Sequence, residues 1–182
     1  MHRLLPAILL LICAESVASN LVPNSAFDTD ISGWIFSGSC FVPVWDSFDN
    51  PSNGALAVNC FPASSPETVS QCVAVPHTDL DFSAQITDNG NASPVSFGLV
   101  VYSNADCTGS AMTLLDPATA YVVPGGGCCG RIWTPISRAD ISVPAGIPSV
   151  QIEIMVASPA DIALDDIRLG PSLFQDGFDA SP

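Results

Sequence analysis

The sequence predicts an all-β domain, an antiparallel β-sandwich or jelly roll stapled by disulfides. Three observations carry that expectation. Apolar residues recur at every second position over several stretches, as in Val150, Ile152, Ile154 and Val156, a spacing that buries one face of a strand and wets the other. Turn-forming clusters such as Asn50-Pro51-Ser52-Asn53-Gly54 and Pro124-Gly125-Gly126-Gly127 separate these stretches and supply the backbone angles at which a chain reverses. With 16 prolines and no sustained 3.6-residue apolar stripe, nothing favours helix.

Along the chain, the first candidate strands are 31–36, 41–45, 55–59 and 68–75. At 80–86, Leu80, Phe82, Ala84 and Ile86 alternate with Asp81, Ser83 and Gln85. At 95–101, Val95, Phe97, Leu99 and Val101 alternate with Ser96, Gly98 and Val100. Shorter runs at 111–115, 132–135 and 139–143 follow, then 150–156 with Gln151, Glu153 and Met155 on the polar side, and finally 161–169. Asp88-Asn89-Gly90-Asn91 and Pro144-Ala145-Gly146 punctuate this series. The expected organisation is a leader over 1–19, one sandwich domain over 20–170, and a short tail over 171–182, where the alternation stops.

The leader sets the compartment. Met1-His2-Arg3 is a basic start, Leu4 to Cys13 is apolar apart from Pro6, and Val17-Ala18-Ser19 offers small residues at a cleavage site, the pattern of a signal peptide cut after Ser19. The apolar run is shorter than the roughly 20 residues of a membrane span, and no later stretch is long enough. Ile12 before Cys13 argues against a lipid anchor. The mature chain is expected to be secreted or held in a bacterial envelope. The full sequence has four basic residues, all arginines, against 18 acidic ones, for a net charge of −14. Such a surface repels phosphate backbones and anionic membranes, which excludes nucleic-acid binding as a function.

Seven cysteines are present, and Cys13 leaves with the leader; Cys40, Cys60, Cys72, Cys107, Cys128 and Cys129 remain. An even set in an exported chain implies disulfides. Neighbouring Cys128 and Cys129 are expected to reach different partners. The pairing expected is Cys40 with Cys60, and Cys72 and Cys107 each with one of the adjacent pair. Zinc is disfavoured, since no CxxC pairs occur and His77 is the sole histidine after the leader.

Catalysis finds little support. His77 lies in the turn Pro76-His77-Thr78-Asp79, and no G-x-S-x-G elbow leads into a helix. Carboxylates are plentiful enough for a glycosidase pair, but short loops on a sandwich offer little cleft. No catalytic residue is assigned. Asn91-Ala92-Ser93 is a glycosylation sequon, which matters only in a eukaryotic secretory pathway.

Both ends of the mature chain resemble a known group. Asn20-Leu21-Val22-Pro23-Asn24-Ser25-Ala26-Phe27-Asp28, followed by Gly33-Trp34, resembles the opening of galactose-binding-like jelly rolls, and Ala163-Leu164-Asp165-Asp166-Ile167-Arg168-Leu169 resembles their closing strand. The nearest group is the carbohydrate-binding modules of the family 4, 9 and 22 type. Asp49 to Leu56 and the run from Val143 to Ile152 are similar to internal stretches of the same modules. The resemblance implies first and last strands lying together, with a structural calcium ion at their meeting point. Its ligands would be Asp28, Asp165 and Asp166, with Asp28 standing where the motif has glutamate; Asp30 is a neighbouring carboxylate able to compensate for the shorter reach. The tail from Leu173 to Asp179 is similar to a C-terminal signature of exported Gram-negative proteins.

A glycan ligand requires a flat aromatic face for stacking and polar groups for its hydroxyls. Trp34, in the Gly-Trp signature, and Trp133, at a strand start, are expected in the core. Trp45 is the expected platform, with Tyr102 and Tyr121 in support; the competing reading is that these aromatics serve packing. The functional expectation is a secreted, non-enzymatic module for a polysaccharide or other glycan. The alternative is a structural or adhesive envelope protein that binds no small ligand.

Overall fold

A computed structural model describes residues 19–28, 30–38, 41–43, 54–60, 67–88, 94–115, 120–122, 133–157 and 160–172. Eleven strands occur among them: β1 (Ile35–Ser37), β2 (Phe41–Pro43), β3 (Leu56–Cys60), β4 (Glu67–Ala74), β5 (Asp79–Asp88), β6 (Pro94–Tyr102), β7 (Ala111–Leu115), β8 (Ala120–Val122), β9 (Thr134–Ser142), β10 (Ser149–Val156) and β11 (Ala160–Pro171). No helix is present among the described residues, and none is long and apolar enough to cross a membrane. Two antiparallel sheets result. The first runs β1-β4-β10-β6-β7, with β8 also pairing β6, and the second runs β2-β3-β11-β5-β9. The all-β sandwich expected from alternation is the fold observed.

Alternation explains the layers. In β10, Val150, Ile152, Ile154 and Val156 are buried while Gln151, Glu153 and Met155 are half-buried, and β4 reads the same way from Glu67 to Val73. The second sheet turns Leu56, Val58, Ile162, Leu164, Phe82 and Ile86 inward. The rings of Phe82 and Phe97, one from each sheet, meet at 5.4 Å between centroids. Such tilted aromatic contacts add to the burial of area that holds the sheets together.

The chain ends meet as expected. Leu21 N–H donates to Leu169 O at 2.7 Å, and Ile167 N–H donates to Ser25 O at 3.0 Å. Asn20 ties the pair together. Its amide donates to Ile167 O at 3.1 Å, and its Oδ1 accepts from the Val22 and Leu169 backbones, each at 3.1 Å. Phe27 is buried beside Trp34, with centroids 5.4 Å apart, and the Trp34 indole N–H donates to Asn24 O at 3.1 Å. Trp34 is thus core, as expected. Gly54 lies against this segment so closely that a Cβ would overlap the Phe27 carbonyl.

Several expectations are revised. The two runs expected at 132–135 and 139–143 merge into one strand, β9, over Thr134–Ser142. Its pattern is obscured because the pairing with β5 shifts between Leu80 and Phe82 and Asp140 adopts a left-handed φ of 56°. Pro135 is tolerated there because β9 is the sheet edge. Strand β8, opposite Ser96 to Pro94, was not expected. β11 continues through Pro171, and Ser172 N–H donates to Asp79 O at 3.0 Å. Trp133, expected in the core, is half-buried just before β9.

The disulfide pairing is also corrected. Cys72 and Cys107 bond to each other, with Cα atoms 5.8 Å apart, rather than to the adjacent Cys128 and Cys129. The physical reason is the β6–β7 hairpin, whose tip folds back over the end of β10, where Ser149 Oγ donates to Asn104 O at 2.6 Å, and reaches β4. Cys40, Cys128 and Cys129 lie outside the described residues, and Cys60 ends β3 opposite Ala160.

Candidate functional site

The candidate site is the outer face of the first sheet, built from strands whose inner residues make the core. Register places Glu153 between Ser70 on β4 and Gly98 on β6, Gln151 between Cys72 and Val100, and Met155 between Thr68 and Ser96. Except for Gly98, these side chains are half-buried. Small neighbours flank both positions: Ser70 and Gly98 beside Glu153, and Thr68 and Ser96 beside Met155. Gln151 Nε2 donates to Glu153 Oε1 at 3.3 Å. That contact orients a carboxylate and an amide together on an open sheet face, where both keep spare capacity to accept and donate. Toward the Tyr102 end, the face is walled by the disulfide-tied hairpin. The Ser103 hydroxyl accepts from Ser110 N–H at 3.0 Å, and the Asn104 amide donates to Thr108 Oγ1 at 3.0 Å, so the loop braces itself. Along β1, Ile35 is 67% exposed, an apolar border on the other side.

The sequence-predicted ligand residues are spread along this sheet. Tyr102 is half-buried at the end of β6, level with Ser149 and Ala111. It is four residues from the Glu153 level, about 13 Å along the strand. Tyr121, on β8, is level with Val95 at the opposite end of β6. The two tyrosines are therefore not neighbours. Trp45 lies outside the described residues. Gln151, Glu153 and Met155 were not assigned a role from sequence, although the alternation at 150–156 had already placed them on the polar side.

The residues expected as metal ligands sit in different settings. Asp165 is fully buried, and its Oδ1 accepts from Asp166 N–H at 2.6 Å. Asp166 has a left-handed φ of 49° and pairs with Arg168 at 3.4 Å. Asp28 is exposed. Among the described residues no group of three or more acidic, histidine or cysteine side chains is placed to hold a metal ion. Asp30, the neighbouring carboxylate, is engaged locally. Its Oδ1 accepts from Ser32 N–H at 2.9 Å and from the Asn24 amide at 3.1 Å. The Ser32 side chain, then the Ser32 backbone and Asn24, hold its carboxyl below the usual range.

This two-sheet sandwich is a fold shared with solved carbohydrate-binding modules. No protein-family profile matches the chain, and no curated protein matches it; the likeness is structural. The module TmCBM61, solved with β-1,4-galactotriose, is similar with a TM-score of 0.59 and 20% identity, over 85% of this chain and 99% of that one. A xylan-binding domain of family 22 has a TM-score of 0.55 and 12% identity, over 85% of this chain and 96% of that one. The enzymatically active domain of tailspike protein 4 from bacteriophage CBA120 has a TM-score of 0.59 and 15% identity, over 83% of this chain. The match spans only 21% of the tailspike chain. At these identities the likeness establishes the fold.

Proposed function

We propose that the chain is an exported, non-enzymatic carbohydrate-binding domain that holds a neutral glycan on the outer face of the β1-β4-β10-β6-β7 sheet. The observation that carries this reading is the Gln151–Glu153 contact at 3.3 Å, set between the small residues Ser70 and Gly98. A carboxylate accepts from neighbouring sugar hydroxyls, the amide supplies a donor, and the small side chains flanking Glu153 leave a pyranose room to lie flat. The net charge of −14 disfavours acidic polysaccharides. The neighbours solved with galactotriose and described as xylan-binding support a neutral polysaccharide. The Cys72–Cys107 bond supports an oxidising compartment, in line with the signal sequence.

The test is a titration of the whole protein with soluble xylan, β-1,4-galactan and β-glucan. Glu153→Ala should weaken binding about 10- to 100-fold, the worth of a hydrogen bond to a charged group, with an unchanged melting temperature. Failure of all three polymers to bind, or binding indifferent to Glu153, would refute the site.

A calcium ion at the junction of the first and last segments is a further part of this proposal. Burial of Asp165 beside the Ser25–Ile167 contact supports it. With only Asp165 buried and Asp28 exposed, such an ion would lean on backbone carbonyls, a ligand set hard cations accept. Binding only to the folded state would raise the melting temperature with added calcium. Asp165→Asn should remove that rise, and an identical melting temperature in calcium and in chelator would dispose of the ion.

A further inference from the structure

The opposite sheet carries a second feature that the proposed site does not use. A depression of about 310 Å³ opens on its outer face, lined by Ser83 and Gln85 of β5, Pro135 and Ser137 of β9, and Asp166 and Arg168 of β11. That volume lies at the lower end of small-ligand sites, about 300–1,000 Å³.

Its chemistry comes from a local break in β11. Pairing of β11 with β5 shifts between Asp165 and Arg168. Within that bulge Asp166 takes a left-handed φ of 49°, a conformation that aspartate enters more readily than most residues. Bulges of this kind re-aim side chains and gather at functional positions. Here the bulge directs Asp166 into the depression, where its Oδ1 meets Arg168 Nη2 at 3.4 Å. Asp166 is 29% and Arg168 63% exposed. An ion pair this open adds little stability.

We infer that this depression is a second glycan-binding site, taking a neutral sugar unit independently of the Glu153 face. The inference rests on the carbohydrate reading above. A carboxylate beside a guanidinium presents acceptors and donors side by side, the complement of two vicinal hydroxyls. Ser83 and Ser137 contribute hydroxyls, Gln85 contributes an amide, and the Pro135 ring offers an apolar surface. An acidic ligand is disfavoured. Arg168 is already paired with Asp166, and the same face continues into Asp79, Asp81 and Asp140, where Asp81 Oδ1 accepts from Asp140 N–H at 3.0 Å. Because the two sites lie on opposite sheets, one molecule would bridge two glycan strands, turning a monovalent module into a cross-linker.

The experiment is calorimetry of the whole protein with xylohexaose, β-1,4-galactotriose and cellohexaose, in wild type, Glu153→Ala, Arg168→Gln with Asp166→Asn, and all three changes together. Asparagine tolerates the left-handed backbone at position 166, which keeps the fold, and melting temperature checks it. The expected result is two oligosaccharides per wild-type chain, one in each partial variant and none in the combined one. Bridging should appear as turbidity with polymer, lost in either partial variant. A wild-type stoichiometry of one that only Glu153→Ala abolishes overturns the second site and leaves the first intact. Binding lost only through Arg168 and Asp166 overturns the first site and keeps the second. Absence of binding to all three sugars overturns both.

Discussion

At the residue scale, Asn20 shows how one side chain can close a fold. It makes two hydrogen bonds across the meeting point of the two segments, to Ile167 and Leu169, and a third within its own segment to Val22. At about 1 kcal/mol net for each, Asn20→Ala should lower unfolding stability by about 2–3 kcal/mol, read from the midpoint of urea denaturation. Asp30 gives a pH signature. Ser32 and Asn24 stabilise its ionised form, so its folded pKa lies below the unfolded value near 3.9. The stabilisation is therefore complete above the unfolded pKa and disappears as pH falls through the folded one. The Asp30 carboxyl should titrate by NMR below a peptide reference, and Ser32→Ala should return it toward that reference.

At the element scale, the disulfide and the β11 bulge decide what the strands can do. Cys72–Cys107 closes a sequence separation of 35, which in the chain-entropy picture restricts the unfolded state by about 4 kcal/mol. Replacing both cysteines by serine should lower the melting temperature by an amount consistent with several kcal/mol. It should also weaken glycan binding on the Glu153 face, because the hairpin wall loses its tie to β4. Unchanged binding in a folded double variant would show that the wall is not part of the site. In β11 the sequence reads as an ordinary alternating strand up to Leu164. The bulge then inserts a residue after Asp165, so that Ile167 is buried and Arg168 exposed. The buried apolar positions step from Ile162 and Leu164 to Ile167 and Leu169 across it, and the left-handed residue there is an aspartate rather than a glycine.

At the scale of the whole molecule, topology governs folding. β11 pairs with β3 and β5, and β10 pairs with β4 and β6, so the central pairings join residues far apart in sequence. Closing such loops precedes any reward from contact, and sandwiches of this kind fold in roughly milliseconds to seconds. Stopped-flow refolding with disulfides intact should fall in that range, and a microsecond phase carrying the full amplitude would contradict it. The arrangement also gives the molecule two separate outer faces. A ligand on Glu153 and one in the Asp166–Arg168 depression would not touch.

Alternation alone determined the all-β class, the inward sets of β5, β6 and β10, and the polar side that carries Gln151 and Glu153, because a period of two is a local property of the chain. The opening Asn20 to Phe27 and the closing Leu164 to Leu169 were legible as partners through resemblance. Tertiary structure alone decided that Cys72 finds Cys107, that Thr134–Ser142 is one edge strand, that Tyr102 and Tyr121 stand at opposite ends of β6, and that Asp166 pairs with Arg168. Each of these depends on register or on a bulge. Register is set by which strands become neighbours across long separations, and a bulge by the balance of burial on both sides of one residue; neither is written in the spacing of residues along a single strand.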